Sequence, residues 1–211
     1  FFAFILMTDR ILRCLLGDPL LAASYQNNLL NSHDRHRIEH APQLAERTDW
    51  KVSRALKQLA DSPVVSLSHS KGFAALLCTD CPIPAGVDLE AIRPRDFRSL
   101  SEWICTAEEQ EYLRRHNWQA EIFYRLWCTK EALLKAAELN FPADMANVGY
   151  QFYGNEVGGL RVPHQNSWHG ITARLTPDFT LACVWRGEDV RIDWLFYGDL
   201  NVDSQGKLEA V

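Results

Sequence analysis

The 211-residue, 24.1 kDa chain has room for one globular domain or two small ones. Hydrophobic residues at 47% and charged residues at 23% are ordinary soluble usage, which excludes a disordered chain, a collagen or a disulfide miniprotein. Lys and Arg number 22 against 27 Asp and Glu, a formal charge of −5, so nothing global attracts nucleic acid or an anionic membrane and any basic site must be local.

The opening Phe1 to Leu6 run is apolar but lacks a basic segment and a small-residue cleavage site, and it is far short of the roughly 20 residues of a membrane span. It reads as a remnant ahead of Met7, the expected native first residue. Residues 8–59 mix Leu and charged side chains at helical spacing, with breaks at Gly17-Asp18-Pro19 and Ala41-Pro42, and are expected to be mostly helical. Within them His33, His36 and His40 share a helical face beside Arg35 and Arg37, read as a solvated surface. Two short buried strands around a Lys71-Gly72 turn, residues 64–68 and 73–78, predict a hairpin. A further strand is expected over residues 85–90.

Helices are predicted over residues 99–116 and 120–138. Thr106-Ala107-Glu108-Glu109 has the look of a helix start, and the second helix carries Phe123, Trp127, Leu134 and Ala137 as a core-facing stripe. Trp103 and Tyr112 are read as core. The remainder alternates apolar runs with turn residues, giving strands near 148–153, 171–175, 180–185 and 192–196. The segments 66–78 and 170–185 echo each other as strand-turn-strand. Six scattered cysteines (Cys14, Cys78, Cys81, Cys105, Cys128, Cys183) read as reduced thiols of a cytoplasmic protein, and Cys78-x-x-Cys81 has no second pair to complete a zinc site.

Three segments have chemical potential. In Ser66-Leu67-Ser68-His69-Ser70, strand alternation sends the serines to one side and His69 to the other, and the following turn has groups that hold a phosphate. No G-x-S-x-G elbow accompanies them, so a serine hydrolase is discounted. In Asp88-Leu89-Glu90 both carboxylates face one way, an arrangement that wants a cation and suits Mg²⁺. In Trp127-Cys128-Thr129-Lys130-Glu131-Ala132-Leu133-Leu134-Lys135, Glu131 and Lys135 share a helix face, where the ordinary alternative is an i,i+4 ion pair contributing about 0.2–0.5 kcal/mol.

In this order and spacing, S-L-S-H-S, G-V-D-L-E and W-C-T-K-E-A-L-L-K resemble the Sfp-type 4′-phosphopantetheinyl transferases, whose blocks are S-H-S, G-[IV]-D-[IL]-E and W-x-x-K-E-[AS]-x-x-K. The resemblance covers residues 47–148. It implies an α+β fold of two similar halves in a pseudo-twofold arrangement, residues 1–88 and 89–211, with the ligand in the cleft between them and the chain working as a monomer. It also implies Mg²⁺-dependent transfer of the phosphopantetheine arm from coenzyme A to a serine of an apo acyl or peptidyl carrier protein, releasing adenosine 3′,5′-bisphosphate. Asp88, Glu90 and Glu131 would hold the metal; Asp88, Glu131 and Lys135 would be the catalytic set; Ser68, His69, Lys135 and either Arg47 or Arg54 would bind coenzyme A. No nucleic acid or membrane partner is expected. A non-catalytic binding module of the same fold and a metal-dependent phosphohydrolase are the alternatives.

Overall fold

The computed structural model describes residues 10–200 and the backbone of residues 209 and 210, so the Phe1 to Leu6 run and Met7 lie outside the described residues. Its first element corrects the helical expectation. Arg10–Gly17 is strand β1, at the centre of a sheet, antiparallel to one neighbour and parallel to the other. Leu12, Cys14, Leu15 and Leu16 are all buried because both faces of the strand are covered. A strand covered on both faces shows an apolar run without alternation, which mimics two helical turns.

Short 3-10 turns then lead to helices α1 (Ser32–His40) and α2 (Thr48–Leu59). The predicted hairpin follows as β2 (Val64–Ser70) and β3 (Phe73–Cys78). Its two loop residues, Lys71 and Gly72, both have positive φ, the turn whose twist matches a two-residue hairpin. Strand β4 spans Ala85–Ala91. The single helix expected over 99–116 is two, α3 (Phe97–Ile104) and α4 (Ala107–Arg115). Thr106 separates them with a full capping box: its hydroxyl accepts from the Glu109 amide while the Glu109 carboxylate accepts from the Thr106 amide.

Helix α5 (Ala120–Ala136) is the longest element, with Phe123 and Leu134 buried and Trp127 and, just past its end, Ala137 half-buried against the same core. A small hairpin, β5 (Gly149–Tyr153) with β6 (Glu156–Arg161), precedes β7 (Trp168–Thr176), β8 (Phe179–Arg186), β9 (Val190–Tyr197) and β10 (Glu209–Ala210). Tyr112 packs on the core as expected, but Trp103 is 82% exposed, because Phe97, Leu100, Ser101 and Ile104 form the packed face of α3 and Trp103 points roughly 100° away from it.

Two four-stranded sheets run in the orders β2-β3-β1-β9 and β10-β7-β8-β4. In each, a hairpin places its second strand antiparallel to the strand that precedes the sheet's helix: β3 on β1, and β8 on β4. The echo between residues 66–78 and 170–185 is thus a repeat of connectivity. A shared core of Leu12, Cys14, Leu16, Leu77, Val87, Leu89, Leu181 and Cys183 lies between the sheets, while α2 covers the outer face of the first and α5 that of the second. Among the described residues no helix is long and apolar enough to cross a membrane, and all six cysteines are free.

Candidate active site

The two sheets also meet along their edges, and side chains make the junction. Val87, Leu89 and Ala91 present edge amides of β4, and each donates to a serine of β2: to Ser66 Oγ at 3.0 Å, to Ser68 Oγ at 3.2 Å and to Ser70 Oγ at 3.2 Å. Both strands have a side-chain period of two, so three serines at alternate positions match three amides at alternate positions. A hydroxyl that accepts still has a proton to give. Ser68 gives it to Asp88 Oδ1 at 2.8 Å and Ser70 to Glu90 Oε2 at 3.0 Å.

Gly86, Asp88 and Glu90 lie on the face of β4 that α5 covers. Helix and strand touch at Gly86, where an added β-carbon would overlap the Ala132 carbonyl oxygen of α5. This close approach brings Lys135 over the strand, where its ammonium donates to Val87 O at 3.0 Å and to Asp88 Oδ1 at 2.8 Å. Asp88 Oδ1 therefore has two donors, while Asp88 Oδ2 is buried with no partner among the described residues. A buried carboxylate oxygen in that condition costs free energy unless something positive meets it.

Glu131, one turn before Lys135, has its carboxyl pushed up to about 7, first by burial and then by the Asp88 charge, with Lys135 opposing and Glu90 adding. Glu90 is raised as well, by burial and then by Asp88, against the pull of Ser70, Arg93 and Lys135. The three carboxylates thus act on one another. As placed, no three His, Cys, Asp or Glu side chains among the described residues are spaced to enclose a metal ion. Cys128 is fully buried on α5, its thiol pushed up by burial, and is packing rather than a nucleophile. Beside Glu90 a cavity of about 70 Å³ is walled by Arg93, Arg95, Leu100, Phe123, Tyr124 and Trp127.

His69 leaves β2 on the opposite side from the serines, as alternation predicts, and meets the start of α2. Its Nδ1 is 3.2 Å from Asp49 Oδ2. Arg47 grips the same carboxylate through Nε at 3.0 Å and Nη2 at 2.6 Å. Burial holds the His69 pKa below its usual value; Asp49 opposes that, and the charges of Arg47, Arg54 and Lys135 reinforce it. Arg54 is buried, donating to Asp34 Oδ1 at 2.7 Å with its guanidinium 3.7 Å from the Trp50 ring centroid, whereas Arg47 is about half exposed.

Sequence reasoning passed over Gly86, Asp49 and Lys130. A glycine inside a strand signals close backbone approach. Lys130 falls among the apolar residues of α5 and needed a buried partner, which is Glu109 at 2.7 Å. Asp49 carried no local signal. The three histidines of α1 are solvent-facing, with His36 and His40 rings 4.1 Å apart.

Comparison with known proteins bears on one part of this arrangement. The model of the 4′-phosphopantetheinyl transferase superfamily matches residues 84–195, from the approach to β4 into β9, a stretch that holds Asp88, Glu90, Glu131 and Lys135 but not Ser68, His69 or either arginine. The chain is 33% identical over 121 residues to the 4′-phosphopantetheinyl transferase AcpT of Salmonella typhimurium, covering 46% of this chain and 62% of that protein. Identity is 33% over 120 residues to AcpT of Escherichia coli, with 46% and 61% covered, and 39% over 74 residues to the 4′-phosphopantetheinyl transferase HetI of Nostoc, with 34% and 31% covered. The chain thus spans about three-fifths of the AcpT proteins it matches.

Proposed function

The chain belongs to the 4′-phosphopantetheinyl transferase superfamily, and on that premise we propose that it transfers the 4′-phosphopantetheine arm of coenzyme A to a serine hydroxyl of an apo carrier protein, releasing adenosine 3′,5′-bisphosphate. In that reaction the serine oxygen forms a bond to the phosphorus bearing the arm, the P–O bond to the adenosine bisphosphate breaks, and the serine proton leaves to a base. One observation supports the reading above the rest: β4 and α5 gather three carboxylates and one ammonium, and leave the buried Asp88 Oδ2 unpartnered among the described residues.

The donor set fits a divalent cation of the Mg²⁺ kind. Such an ion takes hard oxygens, needs only one or two protein carboxylates and fills its octahedron with waters and phosphate oxygens, so a closed cage of three side chains is not required. Asp88, through its Oδ2, would hold it together with Glu90 or Glu131, since the three are not spaced to enclose one ion as placed. Bound there, the ion would neutralise charge on the diphosphate.

The protein's own groups do the remaining work. Lys135, with two of its three protons directed to Val87 O and Asp88, has one left for a diphosphate oxygen, where a fixed ammonium stabilises charge on the leaving group. Glu131, or a water beside it, takes the serine proton. Arg47 and His69 are suited to the 3′-phosphate of coenzyme A; Arg54, held by Asp34, supports Trp50 and α2 instead. The Ser68 hydroxyl, directed to Asp88, serves the acidic side. A ligand would lie along the β2–β4 junction between the two similar halves, and one chain supplies both clusters.

The test is mass spectrometry of apo carrier proteins of the fatty-acid, polyketide and nonribosomal-peptide kinds, incubated with coenzyme A and Mg²⁺. The mass of the arm should appear on at least one, and should fail to appear with Glu131→Ala or with a chelator. No gain on any carrier overturns the proposal.

A further inference from the structure

We propose that Asp49 is a positioning residue that organises Arg47 and His69 into a phosphate-selective pair, and so sets the preference for a 3′-phosphorylated nucleotide; this rests on the coenzyme A reading above.

An imidazole has two nitrogens, and fixing one of them sets both the tautomer and the direction of the other. His69 Nδ1 lies 3.2 Å from Asp49 Oδ2, whose charge favours the protonated ring, and it is in that form that Nε2 has a proton to give a phosphate oxygen. A guanidinium has five N–H donors in a rigid fork. Arg47 uses Nε and one proton of Nη2 on Asp49, so the Nη1 edge and the second Nη2 proton are not used among the described residues. A single carboxylate thus stands against an arginine and a histidine that come from different elements, the head of α2 and the end of β2.

Asp49 is itself tied down. Its Oδ1 accepts from the Trp50 amide at 2.9 Å in the first turn of α2, a twelve-residue helix whose amino end favours negative charge. The Asp49 side chain is only 14% exposed, compared with 32% for His69 and 53% for Arg47, so the carboxylate is the inner member of the trio and the donors are the outer ones. Without Asp49, the long Arg47 side chain and the imidazole would each recover rotamers that a ligand must then freeze out.

Binding tests this without passing through transfer. Adenosine 3′,5′-bisphosphate and adenosine 5′-monophosphate, which differ only in the 3′-phosphate, are titrated calorimetrically into the wild-type protein and into Asp49→Ala and Asp49→Asn. The wild type should prefer the bisphosphate. Asp49→Ala should weaken the bisphosphate by roughly tenfold while leaving the monophosphate within about twofold, and Asp49→Asn, which keeps an acceptor for Nδ1, should fall between. With His69→Ala already in place, Asp49→Ala should add less than its single effect, since the two share one contact. A merely structural Asp49 would lower the melting temperature and weaken both nucleotides alike, and that result overturns the proposal, as does a wild type that does not discriminate. A wild type that discriminates but modifies no carrier would sink the transferase reading and leave this one standing.

Discussion

Gly86→Ala is the sharpest test of how the site is built. The new β-carbon would overlap the Ala132 carbonyl oxygen, with the Ala132 carbonyl carbon at 3.0 Å and Ala136 Cβ at 3.1 Å. These are backbone and β-carbon atoms, which cannot swing aside as a side-chain tip can, so α5 must retreat from β4 by on the order of 1 Å, and overpacking of this kind costs about 1–3 kcal/mol. At about 2–4 °C per kcal/mol for a domain of this size, the melting temperature should fall by roughly 2–12 °C. Lys135 follows Leu134 on the same turn, and its 2.8 Å contact to Asp88 would stretch with the helix. A misplacement of about 1 Å is enough to lose on the order of 10²-fold in rate. Calorimetry and the carrier-modification assay read the two effects, and Gly159→Ala, where an added β-carbon meets nothing within 4 Å, is the control. If Gly86→Ala melts and turns over like the control, α5 is not seated on that glycine and the account of how Lys135 and Glu131 reach β4 is wrong.

Three other substitutions probe the supports of the same site. Lys130→Ala removes the closer of the two cations at the fully buried Glu109, leaving it Arg161 at 3.3 Å, and takes a 3.0 Å donor from the Met145 carbonyl and a 2.6 Å donor from that of Val148; chemical denaturation should show a loss approaching about 3–5 kcal/mol, smaller when Glu109→Gln is added. Ser66→Ala leaves the buried Val87 amide without its acceptor and should cost about 1–3 kcal/mol by the same measurement. Asp34 accepts from Arg54 and Lys57, both at 2.7 Å, and although burial alone would raise its pKa, those hydrogen bonds hold it below the usual carboxylate value. A depressed carboxylate contributes stability that is complete above its unfolded pKa and is lost as pH falls through the folded one. The gap between wild type and Asp34→Asn in urea titrations should therefore narrow as pH drops from about 5 toward 2, and a constant gap refutes the assignment.

Local pattern made part of this structure legible. The β2–β3 hairpin, β4 and α5 followed from alternation, a Lys-Gly turn and an apolar stripe, and the opposed directions of Ser68 and His69 followed from the pleat alone. Strand β1 did not, because α2 covers one face and the second sheet the other, segments remote in sequence that erase the polar alternation. Nor did β6, whose Gly158-Gly159 pair has weak strand propensity and is held by pairing with β5. Arg47 and Arg54 look equivalent as letters. Asp34, 20 residues before Arg54, is what buries one and leaves the other facing outward. Asp49 acquires meaning only when β2 folds back against the head of α2.

The serine ladder accounts for why the acids sit where they do. Strand β4 is a sheet edge, and a row of free amides on an edge invites pairing with another chain unless something covers it. A continuous backbone ladder from β2 would cover it too, but backbone carbonyls have no proton to pass on. Hydroxyls do. By accepting from Val87, Leu89 and Ala91 while Ser68 and Ser70 donate to Asp88 and Glu90, the serines seal the edge and align the carboxylates in one set of contacts. Substituting Ser70 by Ala therefore removes two things together, the Ala91 acceptor and the Glu90 donor. Substituting Ser66, whose hydroxyl contacts no carboxylate among the described residues, should cost stability while sparing the acidic cluster. Comparable losses of stability with unequal losses of function, Ser70→Ala the worse in function, is the pattern this junction requires.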